Sequence, residues 1–240
     1  MIRLFCVPYA GGSALVYKPW IADFQRQGIE LIPLEMKGRG SRITESFYAD
    51  FEEAKEDLLQ MIYQYLEESD HPFAFLGHSM GSLLAYELAL SVSEKGFIPS
   101  HLFLSGGQPP HSGWNHNSYY HSSDQLLKEH LLHLGGMPDI IMNNESLYHY
   151  FVHIIKEDYR IMDTYIVRKS YPMVPCEISV LCGDQDVCVK CDNSQWTGYS
   201  SKSLNVHTFE GNHFFLFRSD GKGKRFYKIT LVKNLHIGGS

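Results

Sequence analysis

Three residues spread along the chain have the types needed to move an acyl group: a serine in a glycine turn, an aspartate and a histidine. The serine is Ser79, in the G-x-S-x-G pentapeptide Gly77-His78-Ser79-Met80-Gly81. A serine hydroxyl is a weak nucleophile at neutral pH, so it needs a base within hydrogen-bond reach and an acid that orients the base. Gly183-Asp184-Gln185-Asp186 offers two carboxylates. Asp186 is the preferred orienting acid, because Asp184 beside Gly183 suits holding the turn through backbone hydrogen bonds. Glu210-Gly211-Asn212-His213 delivers the base. His207 lies inside a strand pattern, alternating with Val206 and Thr208, where an imidazole packs or is solvated, so His213 is preferred.

The tetrahedral intermediate of acyl transfer also needs backbone N–H donors aimed at its oxyanion. Met80, directly after the nucleophile, supplies one. The second is expected from Pro8-Tyr9-Ala10-Gly11-Gly12-Ser13, whose small residues let a substrate approach the backbone. Ala10 is the first choice and Tyr9 the fallback. The plain alternative for either glycine segment is an ordinary turn.

The surrounding elements decide whether such residues can meet. Short apolar runs at 3–7, 29–34, 73–76 and 101–105 alternate with helical patterns at 14–27, 50–68 and 82–94, as in β-α-β units on a parallel sheet. The pentapeptide therefore falls at a strand-to-helix turn, which forces its serine outward. Two further strands are expected at 177–182 and 203–209, so both the aspartate and the histidine follow late strands. Between them and residue 105 the alternation stops. Helical patterns at 123–134 and 145–167, separated by Gly135-Gly136-Met137-Pro138, mark an insertion at 112–170 within a single domain of residues 1–240. Helices inserted at the carboxyl ends of strands can cover the crevice as a lid.

Composition excludes several classes of function. A length of 240 residues, 44% of them apolar, can bury one large core, and a net charge of -6 gives no basic field for nucleic acid. The apolar run after Met1 is too short for a membrane span or secretory signal, so a cytoplasmic protein is expected. Five cysteines include Cys188-Val189-Lys190-Cys191, with zinc-knuckle spacing but no second ligand pair. Reduced thiols are therefore expected. His149 and His153 stand four apart on a helical pattern without the carboxylate of H-E-x-x-H, so they are read as surface or lid-lining imidazoles, and no metal is expected.

Taken together, the motifs resemble the type II (external, editing) thioesterases of nonribosomal peptide and polyketide synthesis, relatives of the medium-chain acyl thioesterases of fatty acid synthesis. The similarity rests on residues 6–14 with Tyr17 and Trp20, Gly38-Arg39-Gly40-Ser41-Arg42, the serine pentapeptide, and Ser105-Gly106-Gly107-Gln108-Pro109-Pro110-His111. It continues through Leu134-Gly135-Gly136-Met137-Pro138, Asp158-Tyr159-Arg160 with Tyr165, the Asp186 loop, and Gly211-Asn212-His213-Phe214-Phe215-Leu216. Glu35-Met36-Lys37 differs from the family's usual proline before Gly-Arg, and residues 221–240 lack the pattern of a closing amphipathic helix.

The resemblance implies an α/β-hydrolase fold, mostly parallel with a helical lid, and the same assignments: Ser79, Asp186 and His213 as triad, Ala10 and Met80 as oxyanion donors. It further implies a monomer that hydrolyses acyl thioesters from the phosphopantetheine arm of carrier proteins, with no cofactor, nucleic acid or membrane partner. Lid aromatics Tyr148, Tyr150, Phe151 and Tyr159 would limit acyl length. The basic tail (Lys222, Lys224, Arg225, Lys228) is either a docking patch or solvated charge. The rival readings are an acyl-CoA thioesterase or small-molecule carboxylesterase, and a non-catalytic hydrolase-fold binding protein.

Overall fold

In the computed structural model, which describes residues 1–113 and 119–217, six strands form one sheet. They are β1 (Ile2–Val7), β2 (Ile29–Pro33), β3 (Phe73–His78), β4 (His101–Ser105), β5 (Glu177–Gly183) and β6 (Leu204–Phe209). Their order is β2-β1-β3-β4-β5-β6, and every neighbouring pair is parallel. Parallel strands need crossovers that place helices on the faces, which is why β3 and β4 are buried along their whole length. Alternate residues serve opposite faces. Phe5, Phe75, Leu102 and Val180 meet Leu58, Ile62, Leu84 and Leu88 in one core. Leu4, Cys6, Leu76 and Phe103 meet Tyr17, Trp20 and Phe24 in the other.

Among the described residues the α-helices are α1 (Ile21–Gln25), α2 (Phe51–Glu68), α3 (Met80–Glu94), α4 (Asp124–Leu134), α5 (Asp139–Met142) and α6 (Glu145–Asp163). Asp50 caps α2 by accepting from Glu53 N–H at 2.8 Å. The helix expected over 14–27 divides in two. Ala14–Trp20 is a 3₁₀ helix, and α1 starts only at Ile21. Pro19 is the reason: it has no N–H, and its ring clashes with a carbonyl one α-turn back. The helix expected over 145–167 stops at Asp163, where Thr164 folds its hydroxyl onto Ile161 O at 2.6 Å and accepts from Phe51 N–H at 2.9 Å.

The helices between β4 and β5 build a small apolar core from Leu127, Leu131, Tyr148, Val152, Ile155 and Tyr159. The far end of α6 joins the main core through Ile161 and Met162. The fully reduced set of thiols is corrected: Cys182 and Cys191 form a disulfide, while Cys6, Cys176 and Cys188 are free. The chain doubles back after β5, so that the two Cα atoms lie 5.9 Å apart, within bridging range. The more conspicuous Cys188/Cys191 spacing is not the pair that forms. The tail from 221 to 240, with its basic cluster, lies outside the described residues. Among the described residues no helix is long and apolar enough to cross a membrane.

Candidate active site

Sheet order places the site. From β1 the chain crosses one way to β2, and β3 pairs on the other side, so the carboxyl ends of β1 and β3 open a crevice between diverging connections. Ser79 stands there as the single residue between β3 and α3, at φ 55° and ψ −118°. A non-glycine residue held in this conformation is strained and needs a surrounding structure that imposes it. Ser79 N–H donates to Ser105 O at 2.7 Å, and Ser79 O accepts from Ser82 N–H at 2.9 Å. The flanking glycines make the turn feasible: a Cβ on Gly77 would lie 1.9 Å from Gly81 O, and one on Gly81 would lie 2.3 Å from Val7 O.

His213 Nε2 lies 2.9 Å from Ser79 Oγ, and His213 Nδ1 lies 2.8 Å from Asp186 Oδ2. The Asp186 side chain is fully buried and His213 nearly so, which keeps water from competing for these bonds. Asp186 Oδ1 accepts from Cys188 N–H at 2.9 Å and Val189 N–H at 3.2 Å, so its carboxylate has a fixed orientation. Asp184 takes the other role: its Oδ1 accepts from Gly211 N–H at 2.8 Å, and Gln185 N–H donates to Gly211 O at 2.9 Å. These bonds stitch the loop after β5 to the loop after β6, the two that carry Asp186 and His213. His207 sits on β6, away from this chain of contacts.

His78, the neighbour of Ser79, is buried with its Nδ1 2.9 Å from Ser105 Oγ and its ring 5.3 Å from that of His213. Burial, and then the proximity of His213, push His78 well below the ordinary histidine range. A neutral His78 does not repel a proton taken up by His213.

Residues 9–12 form a tight turn after β1, closed by Gly12 N–H donating to Tyr9 O at 2.8 Å. The Gly11 N–H donates to Asp158 Oδ2 at 2.7 Å. Met80 is the first residue of α3, so its N–H belongs to the unpaired N-terminal turn of that helix.

A cleft with about 630 Å³ of empty space, open solvent included, is lined by Ser79, His213, Gln108, His130, Tyr159 and Cys188. A second cleft, with about 620 Å³ of empty space including open solvent, lies along the turn at Ala10 and is lined by Leu131, Met137, Ile141, Phe151 and Ile155. The four aromatics named from the sequence thus divide: Tyr159 lines the first cleft and Phe151 the second, Tyr148 packs inside the helical segment, and Tyr150 is exposed. His130 was not singled out by its spacing. It faces Tyr159 OH at 3.3 Å, and burial, with His213 nearby, pushes it down to about 4. No local pattern marks it, because α4 is amphipathic with or without it. Arg39 and Asp158 were visible only as parts of motifs, without a role.

Comparison with known proteins agrees with this architecture. The thioesterase domain family matches residues 2–227. The medium-chain S-acyl fatty acid synthase thioesterase of Anas platyrhynchos is 33% identical over 223 residues, covering 90% of this chain and 86% of that protein. Gramicidin S biosynthesis protein GrsT of Aneurinibacillus migulanus is 30% identical over 220 residues, covering 91% and 84%. The crystal structure of ClbQ from the colibactin NRPS/PKS pathway superposes with a TM-score of 0.84 at 30% identity, covering 99% of each chain. With its parallel sheet in the α/β-hydrolase arrangement, this chain belongs to the thioesterase domain family and is a thioester hydrolase.

Proposed function

We propose that the protein releases acyl groups from the phosphopantetheine arm of carrier proteins, as an editing enzyme of a nonribosomal peptide or polyketide synthase, through a Ser79–His213–Asp186 triad. The observation that carries this reading is the unbroken run of contacts from Ser79 Oγ to His213 to Asp186, at 2.9 and 2.8 Å, in the wall of a cleft. Ser79 Oγ attacks the thioester carbon while His213 Nε2 takes its proton. The oxyanion is met by the Met80 N–H and, across the crevice, by Ala10. Gly11 and Gly12 have already committed their N–H groups to Asp158 and Tyr9, which favours Ala10 as the donor from this turn. Collapse of the intermediate breaks the C–S bond, and His213 returns the proton to the leaving sulfur. Water then attacks the Ser79 ester with His213 again as base, which frees the acid and restores the hydroxyl.

The segment from 112 to 170 serves as the lid, and the apolar cleft beside Ala10 gives an acyl chain room. Association with the synthase pathways is supported by relatives such as GrsT and ClbQ. A cytoplasmic monomer that needs no cofactor fits this role. The test compares hydrolysis of acyl-carrier protein, acyl-CoA and p-nitrophenyl esters, with Ser79→Ala as control. The carrier thioester should be preferred, and Ser79→Ala should abolish turnover and labelling by a fluorophosphonate. Preference for the simple ester would favour a small-molecule esterase, and failure of Ser79 to label would favour a non-catalytic role.

A further inference from the structure

The turn after β1 is gripped from outside. With Gly11 at φ 79° and Gly12 N–H bonded to Tyr9 O, residues 9–12 have the left-handed third position of a type II turn. Gly11 Cα faces α6, where an added Cβ would lie 2.3 Å from Ile155 Cγ1. Its N–H donates to Asp158 Oδ2, also on α6, at 2.7 Å. The same oxygen accepts from Arg39 Nη1 at 2.6 Å, and Asp158 Oδ1 accepts from Arg39 Nη2. Arg39 Nη1 also reaches Gly12 O at 3.2 Å, and its Nε reaches Lys37 O at 3.4 Å. Both charged side chains are 2% exposed.

This arrangement selects one backbone state. A turn with glycine at its third position has an alternative in which the central peptide is reversed. Reversal here would swing the Ala10 carbonyl towards the Asp158 carboxylate, oxygen against oxygen in a buried site. The observed state instead gives that carboxylate an N–H, and the guanidinium holds both the carboxylate and the carbonyl at the end of the turn.

We infer that Asp158 and Arg39 are positioning residues for acyl transfer: by anchoring Gly11 and Gly12 they fix where turn 9–12 sits above the crevice, and with it the Ala10 N–H, carried on the peptide just before the one they hold, that meets the oxyanion. The inference rests on the Ser79 acyl-transfer reading. Because Asp158 belongs to α6, the oxyanion donor is in place only when the helical segment is seated on the sheet domain. Seating of the helices and assembly of the hole are therefore one event. Neither side chain handles the reacting atoms; both act through the turn.

The test uses the full chain with an acyl-pantetheine thioester and a trifluoromethyl ketone that forms a tetrahedral adduct with Ser79. The double variant Arg39→Met with Asp158→Leu removes the acceptor of the Gly11 N–H and replaces the ion pair by apolar volume, an exchange that folded proteins often tolerate. Asp158→Asn keeps the shape and a neutral acceptor. The double variant should lose about 10²-fold in kcat and a similar factor in ketone affinity, with KM within about threefold of wild type. Asp158→Asn should lose about tenfold in both.

A pair that only stabilises the fold would lower Tm and leave kcat per folded active site and ketone affinity within about twofold, which overturns the inference. Should the double variant fail to fold, Asp158→Asn decides by the same criterion. Wild-type protein inert towards the thioester would instead sink the acyl-transfer reading itself.

Discussion

The loop after β5 and the turn after β1 flank the same serine, yet they are held by different kinds of contact. The Asp186 loop orients its carboxylate by local contacts: that carboxylate accepts amides two and three residues ahead, and a disulfide with a sequence separation of 9 closes the stretch, although Asp184 and Gln185 also tie it to the loop after β6. The turn at Ala10 depends on strangers. Its Gly11 amide is held by a carboxylate 147 positions later, and its Gly12 carbonyl by a guanidinium 27 positions later. A carboxylate held by amides of its own loop keeps its orientation when more distant elements move. A turn held at a distance reports whether those neighbours are in place.

The sharpest way to break this contrast is Asp186→Asn. The substitution keeps an oxygen for the Cys188 and Val189 amides, so the loop should survive, while the amide no longer holds His213 in the required tautomer. We expect kcat to fall about 10⁴-fold with little change in Tm. A fall of less than about tenfold, measured by steady-state thioester hydrolysis, would remove Asp186 from the triad.

Next in size is Arg39→Met alone, which leaves Asp158 buried without its counter-ion. Urea unfolding should show a loss of about 3–5 kcal/mol. An unchanged midpoint would mean that the turn does not depend on its distant support.

Cys182→Ala with Cys191→Ser opens the short disulfide loop and should cost about 2–3 kcal/mol, read as a lower urea midpoint. Because the Cys188 and Val189 amides remain, kcat should stay within about threefold of wild type. A larger loss would show that the Asp186 loop also relies on its covalent closure.

The smallest effect serves as a control at the opposite end of the sheet. His101 opens β4, with its Nε2 2.9 Å from Ser179 Oγ. Burial pushes it down to about 4, outweighing Glu177 nearby, which acts the other way. The folded state therefore favours neutral imidazole, while the unfolded chain protonates near 6.5 and binds more protons between these values. Stability is full above about pH 6.5 and falls as pH drops towards 4, by about 1 kcal/mol at pH 5.5 from this residue. His101→Leu should flatten that acid limb in thermal melts at pH 7 and pH 5.5. An unaltered limb would assign it to other groups, such as His130, which is also held near 4.

Legibility in the sequence follows the same division between local and distant contact. The strands showed as apolar runs because burial on both sheet faces leaves a continuous hydrophobic stretch. Ser79, Asp186 and His213 could be named because each sits in a turn marked by glycines a few residues away, and the fold brings the three within hydrogen-bond reach. The helix expected over 14–27 missed the consequence of Pro19, a local signal that periodicity alone overrides. The ends of longer elements were less legible: α6 stops where Thr164 caps it and meets α2, a contact that no window of sequence contains.

By itself, the sequence determined the alternation of strand and helix, the strained serine turn and the order of serine, acid and histidine, because backbone sterics and hydrophobic period act over a few residues. Tertiary structure alone decided that Cys182 bonds Cys191, that Arg39 and Asp158 clasp the turn at Ala10, and that His130 faces the serine's cleft. Each of these depends on where the chain returns after a turn or a crossover, and that is fixed only when the sheet and its helices pack together.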